Sequence, residues 1–204
     1  AIRSAAVPSD DAGFQLALSS GAHAYSFSKF LGAVSRHRRF VAIAGSHGKT
    51  TVAAWIAYGL HQAGQDVGWL VGAEVPQLPG SSYWGAPGEP LIVESCEYAR
   101  SFLKLIPDQA VLLNVDAEHP DTYPGGLPEV QEAFKGFLAK VSKTGKVFAG
   151  PEAPDLSEST RAAWQSVPPL DPGVSIGLAG IHNRRNGAVV AAVLEDFGLR
   201  PREI

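Results

Sequence analysis

Phe40-Val41-Ala42-Ile43-Ala44-Gly45-Ser46-His47-Gly48-Lys49-Thr50-Thr51 is the stretch that decides the fold of this 204-residue chain. Its first five residues are wholly apolar, the pattern of a short strand buried on both faces of a sheet. The glycine-bearing turn leads into Val52 to Ala63, an apolar helical stretch stopped by Gly64. Strand, glycine-rich turn and helix form the βα unit of a parallel α/β sheet. Gly45 and Gly48 carry no Cβ, so backbone amides there can turn toward phosphate oxygens. A helix opening near Lys49 adds unpaired N–H groups and the positive end of its dipole. Lys49 can reach β- and γ-phosphates, and the Thr50 hydroxyl suits Mg²⁺. The general phosphate-loop pattern G-x-x-x-x-G-K-[ST] fails, because Ile43 holds the place of its first glycine. The plain alternative is a glycine-rich turn with an exposed lysine. A Gly-Lys-Thr triplet opening a helix directly after a buried strand favours phosphate.

Outward from this unit, further short apolar runs at Val67 to Val71, Leu91 to Val93, Ala110 to Leu113 and Lys146 to Ala149 read as strands. Leu127 to Val141 is helical, with Val130, Phe134, Phe137 and Leu138 on one face. A last helix spans Asn183 to Phe197, ended by Gly198 with Pro201 beyond. Phe27, Phe30, Leu31 and Val34 also recur at helical spacing, and basic Arg36 to Arg39 read as that helix's end and a solvated corner. Residues 1–28 are rich in Ala and Ser with turn signals at Pro8, Asp10, Asp11 and Gly21, so irregular or peripheral structure is expected there. Pro151 to Gly173 reads as a loop with at most a short helix. Alternating strands and helices predict a doubly wound, mostly parallel α/β sheet.

Seventeen Lys and Arg stand against 20 Asp and Glu, a net charge of −3 that argues against a nucleic-acid binder. No apolar run approaches the ~18 residues of a membrane span, and no signal-peptide pattern opens the chain. A single cysteine, Cys96, excludes an internal disulfide and suits a reducing compartment. The chain starts at Ala1 and has no Met, so it reads as a piece of a longer protein.

Two polar clusters follow predicted strands. Leu91-Ile92-Val93-Glu94-Ser95-Cys96-Glu97-Tyr98 places two acids past an apolar run, and Asn114-Val115-Asp116-Ala117-Glu118-His119-Pro120-Asp121 repeats the arrangement. In an open α/β sheet the C-terminal strand ends face the ligand crevice. A carboxylate there can hold Mg²⁺, and a neutral imidazole can join it at a divalent ion. Each acid or histidine taken singly could be a solvated loop residue bonded to a neighbour. Their recurrence beside a phosphate loop favours function.

These residues resemble the Mur ligases, ATP-dependent enzymes that build the peptide of the bacterial cell wall. The family loop G-[ST]-x-G-K-T-[ST] is met in full by Gly45, Ser46, His47, Gly48, Lys49, Thr50 and Thr51, which accounts for the failed general pattern. Glu94 to Tyr98, Ser101-Phe102-Leu103 and Asn114 to Asp121 are similar to the members that add L-alanine to UDP-N-acetylmuramate. Gly180-Ile181-His182-Asn183-Arg184-Arg185-Asn186 resembles their G-x-H-N-x-x-N segment, which opens a helix and contacts adenine. Ser4-Ala5-Ala6-Val7-Pro8 looks like the segment closing their N-terminal domain. The resemblance implies that Lys49 and the loop amides grip the β/γ-phosphates of ATP. It also implies Thr50 and Glu97 at a first Mg²⁺, His119 at a second, and His182, Asn183 and Asn186 at the nucleotide. The implied reaction activates the muramate carboxylate as an acyl phosphate, which the amine of L-alanine then attacks. A cytoplasmic location follows from the same resemblance.

Such ligases have three domains. In this chain residues 1–28 look like the remnant of the first, 29–204 like the central ATP-binding domain, and the third is absent, so the isolated chain is expected to be inactive. Only about 30 residues separate Phe148 from His182, where relatives carry a longer β-rich excursion. A Mur-type ligase with another acceptor (a peptide, or the folylpolyglutamate and cyanophycin types) shares the loop and stays open. So does a non-catalytic nucleotide-binding module, although intact Lys49, Thr50, Glu97 and His119 argue against it.

Overall fold

The computed structural model describes residues 1–4 and 7–200. Ala5 and Ala6 of the segment resembling a domain boundary lie outside them, as does Pro201. In chain order the elements are β1 (Ile2–Arg3), α1 (Ala12–Ser19), β2 (Tyr25–Ser26), α2 (Phe27–Val34), β3 (Phe40–Ala44) and α3 (Lys49–Gln62). Then come β4 (Gly68–Leu70), β5 (Ser82–Tyr83), β6 (Leu91–Glu94), β7 (Gln109–Leu112), α4 (Leu127–Leu138), β8 (Lys146–Ala149), β9 (Ala163–Ser166) and α5 (Ile181–Asp196). Among the described residues the main sheet has seven strands in the order β5-β4-β6-β3-β7-β8-β9. Every pairing in it is parallel except β4 with β5.

The alternation of β3 shows how the layers are built. Val41 and Ile43 point into a core shared with Val52, Ile56 and Leu60 of α3 and Val189 and Val193 of α5. Phe40, Ala42 and Ala44 point into the opposite core, with Val130, Phe134, Phe137 and Leu138 of α4 and Leu31 of α2. Both faces of the strand are therefore covered, which is why its sequence is apolar without alternation. The doubly wound, mostly parallel sheet expected from the sequence is the architecture found.

Two expectations need correction. The described residues of 1–28 are peripheral, none of them buried, but they are not irregular: α1 forms with Asp11 as its N-cap, and β1 pairs in parallel with β2. No residue of α1 is buried, so the hydrophobic periodicity that reveals core helices is missing. Residues 151–173 hold not only a short 3₁₀ turn (Ser157–Ser159) but also β9, which extends the sheet beside β8. The Ala163–Ser166 strand is an edge, largely solvated, so its composition is that of a loop.

Sheet order positions the functional region. β3 lies at the centre with β6 on one side and β7 on the other. The turn after β3 is thus flanked by the segments leaving β6 and β7, the two that carry the polar clusters.

Candidate active site

The turn from Gly45 to Gly48 is held by the segment that leaves β7. Asn114 Oδ1 accepts the His47 amide at 2.8 Å, while Asn114 Nδ2 donates to the His47 carbonyl at 3.2 Å. The Asp116 amide donates to Ser46 Oγ at 2.8 Å, and Asn114 O accepts from the Ser46 amide at 3.2 Å. These bonds fix the loop as a cradle rather than a mobile turn. Gly48 is left-handed, φ 84°, and caps α3 without a side-chain hydrogen bond, so the first-turn amides face outward. A Cβ at Gly48 would meet Asn186 Oδ1 at 2.8 Å, and one at Gly45 would meet Leu113 Cβ at 2.8 Å. Glycine is therefore required by both conformation and space. The buried Asn186 amide packs against the cradle from α5, tying the two helix N-termini together.

Lys49 opens α3 and turns its ammonium under the loop. Nζ donates to Gly45 O at 2.6 Å, Ser46 O at 3.0 Å and Glu97 Oε2 at 3.0 Å. Glu97 is fully buried. Its Oε1 lies 3.6 Å from His119 Nε2. Lys49, Glu97 and His119, drawn from three separate strand ends, thus meet at one point. Thr50 is half-buried in the first turn of α3 beside them.

The second acid goes elsewhere. Glu94 Oε2 accepts the Gly72 amide at 2.9 Å, bracing the turn after β4. The structure thus separates Glu97 from Glu94.

The approach to Glu97 is backbone-strained. Ala99, Arg100 and His119 adopt φ of 50°, 54° and 52°, a region that non-glycine residues rarely enter. The Tyr98 and His119 rings pack at 5.1 Å between centroids. Tyr123, reached by no motif, is almost fully buried and donates its hydroxyl to the Glu97 carbonyl at 2.7 Å. Burial pushes its pKa up to about 12, so the phenol remains a donor through neutral pH. The Glu97 carbonyl also accepts the Arg100 amide at 2.9 Å, so Tyr123→Phe removes one of its two donors and should cost about 0.5–1.5 kcal/mol, read from the urea midpoint. An unchanged midpoint would remove Tyr123 from the support of Glu97.

In the sequence Cys96 is a lone thiol within the Glu94-to-Tyr98 motif, with no role of its own. It lies half-buried, with Sγ accepting the Tyr98 amide at 3.4 Å, and burial raises its pKa. One donor atom each from Cys96, Glu97 and His119 lies within 4.8 Å of the others.

A cleft of about 670 Å³ opens beside the cradle, lined in part by Gly48, Thr51, Asn114, His182, Asn183 and Asn186. That volume is in the range of small-molecule sites. Its far wall is the N-terminus of α5, which begins after Gly180 without a side-chain cap. His182 is exposed there, and Asn183 Nδ2 donates to Ala179 O at 2.7 Å. At the mouth, Arg185 pairs with Glu152, an acid that no sequence motif marks. His47 Nε2 sits 3.5 Å from Asp116 and 3.6 Å from Glu118. A polar cradle, a buried cation–carboxylate pair and two open helix N-termini fit an anionic ligand with a divalent ion.

No family model matches the chain. Among curated proteins, it is 49% identical over 110 residues to a UDP-N-acetylmuramate–L-alanine ligase of Roseiflexus, covering 53% of this chain and 23% of that protein. It is 32% identical over 231 residues to the enzyme of the same name from Chlorobium phaeovibrioides, covering 98% of this chain and 49% of that protein. That alignment is longer than the chain itself, so the relative carries residues that this chain does not. The chain spans about half the length, or less, of these relatives. Among solved structures, the UDP-N-acetylmuramate–alanine ligase of Thermotoga maritima superposes with a TM-score of 0.78 at 18% identity, covering 99% of this chain and 52% of that one. This last likeness shows the fold, and the sequence relatives carry the rest: the chain belongs to the Mur ligase family.

Proposed function

We propose that residues 29–204 form the ATP-binding domain of a cytoplasmic ligase that joins L-alanine to UDP-N-acetylmuramate, with residues 1–28 the tail of a preceding domain. The observation that carries this reading is the meeting of Lys49, Glu97 and His119 under a phosphate-type cradle, at the edge of a cleft walled by His182 and Asn183. Lys49 and the amides of residues 45–51 hold the β/γ-phosphates, and His182, Asn183 and Asn186 hold the nucleoside end. Thr50 and Glu97 supply hard oxygen ligands for one Mg²⁺, and His119 serves a second. Bound Mg²⁺ would neutralise charge on the phosphates. The protein itself supplies little covalent chemistry: the cradle aligns the γ-phosphate for attack by the muramate carboxylate, and Lys49 stabilises the charge that moves to the leaving phosphate. The acyl phosphate so formed is open to the alanine amine, and phosphate departs. Among the described residues no helix is long and apolar enough to cross a membrane.

L-Alanine as the acceptor rests on the named relatives and on the Glu94-to-Tyr98 and Asn114-to-Asp121 motifs. The test is phosphate release and product formation from ATP, Mg²⁺ and UDP-N-acetylmuramate, by the protein that carries this chain. Release that depends on L-alanine, with UDP-N-acetylmuramoyl-L-alanine as product, is expected. Release that responds to a peptide but not to L-alanine would replace the acceptor, and failure to bind Mg²⁺–ATP would overturn the reading.

A further inference from the structure

We propose that Cys96, Glu97 and His119 form a binding site for a thiophilic divalent cation, Zn²⁺ by its ligand chemistry, at Oε1 of Glu97, the carboxylate oxygen paired with His119. The three residues offer one sulfur, one carboxylate oxygen and one imidazole nitrogen, all within 4.8 Å of one another. Tetrahedral Zn²⁺ binds S at ~2.3 Å and N or O at ~2.0–2.2 Å, which places its donors roughly 3.4–3.6 Å apart. Glu97 Oε1 and His119 Nε2 already stand at 3.6 Å. A shift of about 1 Å by the sulfur, on a half-buried side chain with one rotatable bond to its Sγ, closes the triangle. Three protein ligands leave a fourth position open to water or a phosphate oxygen.

The division of labour at Glu97 makes this feasible next to a lysine. Oε2 is the nearer oxygen to Lys49 Nζ, at 3.0 Å against 3.4 Å for Oε1. A carboxylate has lone pairs for both partners, so Oε1 can ligate an ion while Oε2 keeps the ammonium. The donor set also discriminates among ions. Mg²⁺ prefers oxygen ligands in octahedral geometry and keeps its waters, whereas thiolate with imidazole selects Zn²⁺ and its neighbours. Binding replaces the thiol proton, which leaves to solvent, so one H⁺ is released per ion bound. The His119 backbone at φ 52° and the close Tyr98 ring set the imidazole toward Glu97. The site does not depend on the ligase reading. If that reading holds, Zn²⁺ competes with Mg²⁺ for Glu97 and His119 and makes the protein zinc-inhibited.

Co²⁺ tests this in the reduced, metal-free chain. One Co²⁺ per chain should bind and give sulfur-to-cobalt charge-transfer absorption, bleached by stoichiometric Zn²⁺. Cys96 is the single cysteine, so the band reports that sulfur alone. Cys96→Ser should abolish the band and weaken Zn²⁺ by more than about tenfold in chelator competition. His119→Ala should weaken Zn²⁺ similarly while the thiol remains, with a thermal melt showing that both variants fold. Absence of the band at saturating Co²⁺, a band unchanged in His119→Ala, or one ion shared by two chains would each overturn the site. None of those results touches nucleotide binding, and a chain that fails to bind ATP could still show the band.

Discussion

Replacing Glu97 with alanine is expected to lower the folding free energy by about 3 kcal/mol, the low end of the range for breaking a buried ion pair. The carboxylate is fully buried and Lys49 is only 9% exposed, so its removal leaves an ammonium inside the protein. The carbonyls of Gly45 and Ser46 still accept from Nζ, which is why the loss falls at the low end. Glu94→Ala removes a bond from the Gly72 amide in an exposed setting and should cost no more than about 1 kcal/mol. The same two variants separate the acids chemically. Mg²⁺ dependence of ATP binding should fall steeply without Glu97 and little without Glu94. Denaturant midpoints and metal titrations of both variants check this, and a larger loss at Glu94 would reverse the assignment.

How much of the structure is legible in the sequence depends on burial. The central strands β3, β6, β7 and β8 are covered on both faces, so their apolar runs announce them within a residue or so of their bounds. β5 and β9 lie at the sheet edges with mostly exposed side chains, so Ser82–Tyr83 and Ala163–Ser166 carry no such signal. The same logic applies to the site. Lys49, Glu97 and His119 each sit just past a buried strand, where a polar residue stands out. Tyr123 and Glu152 do not, because their roles arise from contacts with segments far away in sequence. Cys96 is the instructive case. A lone cysteine excludes an internal disulfide and suits a reducing compartment, but it points to no ligand until the fold sets its sulfur beside an imidazole that is 23 residues away in the chain.

Lys49 carries the other large effect, because one ammonium serves both the fold and the ligand. Lys49→Ala should weaken Mg²⁺–ATP binding by about 1.5–3 kcal/mol, roughly tenfold to over a hundredfold, through loss of a charge-assisted contact to phosphate. It should also destabilise the fold more than Glu97→Ala does. Among the described residues, once Lys49 is gone, the buried Glu97 side chain keeps only His119 Nε2, at 3.6 Å, whereas a stranded Lys49 keeps two carbonyls. The carboxylate therefore has to take up a proton or admit water, and either route costs free energy. Lys49→Met, which preserves the buried stem, isolates the charge from the packing. The double variant Lys49→Met with Glu97→Gln removes both charges and should recover part of the lost stability without recovering any affinity for ATP. Calorimetry for ATP and a denaturant series for folding, run on the unaltered chain and these three variants, separate the two roles. Equal ATP affinity in Lys49→Met would show that the cradle binds phosphate through its amides alone, leaving the ammonium a purely structural partner of Glu97.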